Sequence, residues 1–178
     1  SITLNEEFHL QDFLNNVKKL TSNIYILDSF STDKTESIAL KNQVIFHKRK
    51  FTNFGDQWNH AIQNCPIQTE WYIKLDPDER LSPDLITNIK KTISNDPSEN
   101  GFFFYRRLWF MQKPINVKNK VVRIWRNNKC RFSDVLVNEH PIISGEFNVI
   151  DGLMEHLDSK NLLDGLTKQN KYSDFEAQ

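Results

Sequence analysis

The chain has little cysteine, little glycine and no net charge, and each shortage narrows what it can be. Cys65 and Cys130 are the only cysteines in 178 residues. They are far apart and belong to no CxxC or Cys/His ligand spacing, which argues against a disulfide framework and a structural zinc site and for a reducing, cytoplasmic compartment. Lysine plus arginine equals aspartate plus glutamate at 23 each. The broad positive field used in non-specific nucleic-acid binding is therefore missing, and no nucleic-acid partner is expected. No apolar run approaches the roughly 20 residues of a membrane span, and the opening Ser1-Ile2-Thr3-Leu4-Asn5 lacks the regions of a signal peptide. A soluble protein is expected, or one resting on a membrane surface. No GxGxxG follows a predicted strand, and no HExxH or paired helical spacing of histidines occurs, which weighs against a dinucleotide-dependent dehydrogenase and a zinc hydrolase.

What is present alternates. Leu10, Phe13, Leu14, Val17 and Leu20 recur at helical spacing, and Ile24 to Leu27 is a short β-type run closed by Asp28. Ser31 or Thr32 is placed to cap a second helix, with Asp33 and Glu36 in its first turns. Val44 to Phe46 reads as a strand, Trp58, Ala61, Ile62 and Cys65 as a third helix, and Trp71 to Leu75 as another strand. Ser82-Pro83-Asp84 combines an N-cap, a proline at the first helical position and an acid in the first turn, with Leu85, Ile86, Ile89 and Ile93 behind it. This order predicts an α/β fold whose mixed, mostly parallel sheet is flanked by helices and binds ligands beyond the carboxyl ends of its strands. After residue 100 the pattern turns to strand-like pieces, Gly101 to Phe110, Lys120 to Trp125 and Phe147 to Ile150, and a last helical stretch runs from about Leu162 to Ala177.

Two strand ends carry acids. Leu75 leads into Asp76-Pro77-Asp78-Glu79-Arg80, two carboxylates two residues apart on a proline-stiffened turn. Carboxylate oxygens suit Mg²⁺ or Mn²⁺, ions that keep open positions for substrate phosphates; a solvated acidic turn before a helix is the plainer account. Asp28 opens Ser29-Phe30-Ser31-Thr32-Asp33, where it serves either as a turn residue or as an acceptor for nucleobase and ribose donors, and Asp33 reads as a helix-start acid. A calcium loop is excluded, since Phe30 falls where an oxygen ligand is needed.

Taken in order, Thr3 to Glu7, Leu27 to Thr35, Gln57-Trp58-Asn59-His60-Ala61 and Leu75 to Arg80 resemble the motifs of family 2 inverting glycosyltransferases with the GT-A fold. Val122 to Arg126, the segment around Glu139, and His156 before a terminal helix are similar to small bacterial enzymes of the lipopolysaccharide core β-glucosyltransferase type. The resemblance covers nearly the whole chain and implies one GT-A domain over residues 1–178, with a nucleotide-binding half (1–100) and an acceptor-side half (101–178). Both ends read as cut. By the same resemblance Thr3, Asn5 and Glu6 touch the nucleoside, Asp28 reads the base, often uracil, and Asn59 lies near the donor. Asp76 and Asp78 match the DXD pair, the second holding the metal and the first assisting; Asp-Pro-Asp here replaces the triple-acid variants of relatives, which leaves the division between them open. A sugar-1-phosphate nucleotidyltransferase, of similar fold, should show a glycine-rich basic loop after its first strand, and none is found.

The implied chemistry sets the remaining roles. Transfer from a nucleotide diphosphate sugar builds negative charge on the departing diphosphate, which a divalent cation stabilises, while a carboxylate takes the proton of the attacking hydroxyl. Glu139, in Val137-Asn138-Glu139-His140-Pro141, is the expected base, with Asp134 and Asp151 as other candidates. His156 is a second expected metal ligand, although a lone histidine is more often structural. Arg123 and Arg126 are placed inward and outward on a strand, so that either could face the donor diphosphate, and Arg123 is assigned to the donor site. Phe102 to Phe110 interleaves aromatics with Arg106 and Arg107. It reads mainly as a core strand with an exposed basic pair, the other reading being a surface that stacks a sugar or holds an acceptor phosphate; should the glycan acceptor be lipid-linked, peripheral membrane contact is expected here. A non-catalytic module that only binds nucleotide or glycan is the alternative reading.

Overall fold

The computed structural model describes residues 1–110, 113–133 and 140–157, and the predicted terminal helix lies outside them. β1 (Ile2–Thr3) is followed by α1 (Leu10–Val17), whose Leu10, Phe13, Leu14 and Val17 are buried on one face, as their spacing requires. β2 (Tyr25–Asp28) is buried at all four positions. Parallel strands covered on both faces read as such continuous runs, and β2 pairs in parallel with β1 on one side and with β3 (Ile45–Lys48) on the other. Between them α2 (Thr35–Lys41) is not capped by Ser31 or Thr32, which are engaged elsewhere; Asp33 accepts the Thr35 N–H at 2.9 Å instead. Asn53 caps α3 (Phe54–Gln63) by accepting the Asp56 N–H.

β4 (Trp71–Ile73) and β5 (Glu79–Leu81) flank the acidic turn, and α4 (Pro83–Ser94) begins at Ser82 with the cap and first-turn proline that the sequence predicts. β6 (Gly101–Phe110), β7 (Lys113–Arg126) and β10 (Phe147–Leu157) complete a five-stranded sheet of order β4-β7-β6-β10-β5. β8 (Cys130–Phe132) and β9 (Pro141–Ile143) form a separate antiparallel ribbon. The strands are mixed in direction, as expected, but not mostly parallel: β1–β2, β2–β3 and β6–β10 pair in parallel and the other pairings are antiparallel, because the strand-rich second half of the chain adds mainly antiparallel neighbours. β5, β8 and β9 were not legible as strands. Each has three residues, too few to show a period of two, and each depends on a partner found elsewhere in the chain.

One core joins both halves of the chain: Leu10 and Leu14 of α1, Ile26 of β2 and Leu85 of α4 pack with Phe104 and Met154. A second cluster, Leu27, Trp58, Ala61, Trp125 and Phe132, lies under α3. Helices therefore cover both faces, and the carboxyl ends of β2 and β4 are left for chemistry.

Candidate functional site

The loops after β1 and β2 are stitched into one unit. Asp28 is fully buried, and its carboxylate accepts the Thr3 hydroxyl at 2.8 Å, the Ser31 hydroxyl at 2.5 Å and the Ser31 N–H at 2.7 Å. Three donors are what an acid at this depth requires. Asn5 donates its N–H to the Ser31 hydroxyl and accepts the Thr32 N–H at 2.9 Å, while the Glu6 N–H reaches the Thr35 hydroxyl at 2.8 Å. Asn5 and Phe30 hold left-handed backbone (φ 56° and 62°) to make these contacts. Partial burial pushes the Asp33 carboxyl up, but hydrogen bonds from Thr35 and the Glu7 backbone outweigh it and leave it below the ordinary aspartate value. Gln57, fully buried on α3, receives Arg49 at 2.7 Å and donates to Ser29 at 3.2 Å, fixing the far side of the Asp28 loop.

The second cluster is built on the acidic turn. The Glu79 N–H closes onto the Asp76 carbonyl at 2.9 Å, and the Asp76 N–H donates to the Glu79 carboxylate at 3.0 Å. Arg80 clamps the turn through the Pro77 and Glu79 carbonyls and ties it to the His9 carbonyl at the start of α1. Asp78 meets His156 of β10, with Oδ2 3.1 Å from Nε2, and its carbonyl accepts the Leu157 N–H. Arg123 donates to Glu79 at 2.5 Å and stands 3.6 Å from Asp76. A bulge aims it: Ile124 and Val122 of β7 face consecutive residues of β6, Phe102 and Phe103, so Arg123 is the extra residue. Lys74, whose ammonium lies over the Trp58 and Phe132 rings, approaches Asp76 at 4.0 Å.

Burial shapes the charges here. It pushes the Glu79 carboxyl up against the pull of Arg123. It pulls His156 down, but the hydrogen bond and charge of Asp78, with the charge of Glu79, outweigh it and raise the imidazole above its ordinary value. Among the described residues no three His, Cys, Asp or Glu side chains converge on a common point. Asp78 and His156 offer a carboxylate and an imidazole, with Asp76 two residues away. That set fits a cation that takes one or two protein ligands and completes its shell with phosphate oxygens and water. An apolar cavity of about 450 Å³ between β2 and β4 is lined by residues such as Trp58, Ile62, Trp71 and Ile93, and by none of the acids of either cluster.

Of the residues singled out by sequence, Thr3, Asn5, Glu6 and Asp28 thus come together in the first cluster, and Asp76, Asp78, Arg123 and His156 in the second. Asn59 binds the Phe132 backbone with both ends of its amide, at 2.7 and 3.0 Å, and so holds β8 against α3. Asp151 is exposed on β10, where its carbonyl accepts the Asn88 side chain. Glu139 and Asp134 lie outside the described residues. Glu79, Lys74 and Gln57 are site-building residues that sequence reasoning missed; Glu79 shares a strand face with buried Leu81, a signal visible only once β5 is known.

Residues 2–134 match Glycosyl transferase family 2. An uncharacterized glycosyltransferase of Rickettsia prowazekii is 25% identical over 193 residues, covering 99% of this chain and 65% of the relative, and one of Rickettsia conorii is 25% identical over 191 residues, covering 99% and 67%. The chain therefore spans about two thirds of the length of these relatives. In solved structures the fold is similar to S. aureus TarS in complex with UDP-GlcNAc (TM-score 0.67, 13% identity, 90% of this chain and 58% of that one). It is also similar to glucosyl-3-phosphoglycerate synthase from Mycobacterium tuberculosis in complex with Mn²⁺ and UDP-glucose (TM-score 0.50, 16% identity, 60% and 42%). The fold is that of these GT-A enzymes, and the chain belongs to glycosyl transferase family 2.

Proposed function

We propose that this chain carries out metal-dependent, inverting transfer of a sugar from a nucleotide diphosphate donor, by default a UDP-sugar, to a hydroxyl of a bacterial cell-surface glycan or glycolipid. The observation that carries the reading is the meeting of Asp78 and His156, brought to 3.1 Å from the acidic turn and the end of β10 beside Asp76 and Arg123. Asp78 and His156 would hold Mn²⁺ or Mg²⁺, which supplies a Lewis acid for the departing diphosphate. Arg123, fixed by Glu79, offers a charge to the same diphosphate, and the unit formed by Thr3, Asn5, Glu6 and the Asp28 loop receives the nucleoside. Glu139 keeps the role of base that its resemblance implies. The ligands named for the TarS and mycobacterial structures, UDP-GlcNAc and Mn²⁺ with UDP-glucose, support this donor class and metal. No helix among the described residues is long and apolar enough to cross a membrane. Phe110 and Ile115, exposed where β6 and β7 meet, support action on a lipid-linked acceptor at the inner membrane face.

Calorimetric titration of UDP, GDP, dTDP and CDP, each with and without Mn²⁺, tests the reading. One nucleotide is expected to bind tightly only with metal, and Asp78→Ala is expected to lose that metal-dependent part while staying folded. Equal binding by Asp78→Ala and the native chain would remove the metal role.

A further inference from the structure

Two adjacent arginines occupy the middle of β6, and the strand register sends them to opposite faces. Arg107 stands opposite Glu155 of β10 and donates to its carboxylate, which also accepts the Trp109 indole N–H at 2.5 Å. Arg106 stands opposite Met154. Because alternate residues and direct partners share a face, Arg106 lies on the face that carries His156, Glu79 and Leu81. That is the face of the acidic turn, and the charges of Arg123, Glu79, Asp76 and Asp78 all act on the Arg106 guanidinium.

Arg123 has Glu79 beside it, Lys74 has Asp76 and His156 has Asp78, while Arg80 is held by the Pro77, Glu79 and His9 carbonyls. No acid stands within ion-pair distance of Arg106 among the described residues, and its Nε is buried without a hydrogen-bond partner there. A guanidinium keeps its charge at any ordinary pH, so a half-buried one without an acid carries a desolvation cost that an incoming anion offsets. Its planar fork matches two oxygens of a phosphate. We propose that Arg106 binds the phosphoryl oxygens of the donor's diphosphate, making it a second arginine of the donor site beside Arg123. This rests on the reading of the cluster as a nucleotide diphosphate site and adds to it the group that tells a diphosphate from a monophosphate. A fixed cation there also opposes the negative charge that grows as the diphosphate departs.

Uridine, UMP and UDP are titrated with Mn²⁺ into the native chain, Arg106→Gln and Arg107→Gln, with thermal melts to establish folding. The native chain is expected to prefer UDP to UMP. Arg106→Gln should lose about tenfold or more in UDP affinity, with UMP and uridine bound as before, and Arg107→Gln should keep the native ratio. A UDP-to-UMP ratio in Arg106→Gln equal to that of the native chain overturns the assignment, as does an equal fall in Arg107→Gln. Should Arg106→Gln melt below the titration temperature, Arg106→Met, which retains the apolar stem, is titrated with the same two outcomes. Failure of the native chain to bind UDP under any condition is distinct from these results, because it removes the nucleotide-site reading and the inference with it.

Discussion

Asp33 shows how single side chains set the local structure around the site. Its carboxylate accepts the Thr35 N–H and hydroxyl and the Glu7 N–H, so it both starts α2 and ties the two loops together. Asp33→Ala is expected to cost about 1 kcal/mol, the usual net value of lost side-chain hydrogen bonds. The sign with pH follows from the lowered carboxyl. Its contribution is complete above the ordinary aspartate value and disappears as pH falls through the lowered folded value. Denaturation curves of the native chain and Asp33→Ala should therefore differ at neutral pH and converge in acid. The residue types around the site were legible, Asp28 and the Asp-Pro-Asp turn above all, but not how their atoms would be used. Asp28 is satisfied by Thr3 at the end of β1 and Ser31 in the loop after β2, and Glu79 gains its partner from Arg123.

At the scale of elements, α4 lies against β10 at a glycine. The Ser82 N–H donates to the Leu153 carbonyl at 2.9 Å, and Gly152, with φ 127°, lies so close to α4 that an added Cβ would sit 2.7 Å from the Leu85 Cα. Backbone cannot yield there as a flexible side chain would. Gly152→Ala is expected to cost on the order of 3 kcal/mol from overpacking and left-handed strain together, measured as a fall in the denaturation midpoint at unchanged slope. Because His156 follows four residues later on the same strand, the variant should weaken Mn²⁺-dependent nucleotide binding as well. The helices and longer strands were legible from their periods, and α4 from its cap. β5 and the bulge at Arg123 were not, since both exist only through pairing with distant strands.

For the whole molecule, ligand binding and folding are linked. Nucleotide and metal that bind only the native state should stabilise it by RT ln(1 + [L]/Kd), about 2.7 kcal/mol at a hundredfold excess over Kd. UDP with Mn²⁺ is expected to raise the melting temperature more than the sum of the two added separately, since on the proposed reading Asp78 and His156 would supply only part of a coordination shell that phosphate oxygens complete. A rise that is merely additive would argue against shared coordination. The core that runs from Leu10 and Ile26 to Phe104 and Met154 means that this stabilisation reaches both halves of the chain.

By itself the sequence determined the class of fold, the order of its larger elements and the two acidic strand ends, because periodicity, caps and turn chemistry are local. It also determined, by the ordered motifs, the family that residues 2–134 match. Only the tertiary structure decided which charges meet: His156 on Asp78, Arg123 on Glu79, Arg106 toward the turn and Arg107 away from it. Those pairings follow from strand register and one bulge, and register is set by packing between segments far apart in the chain, which no local pattern records.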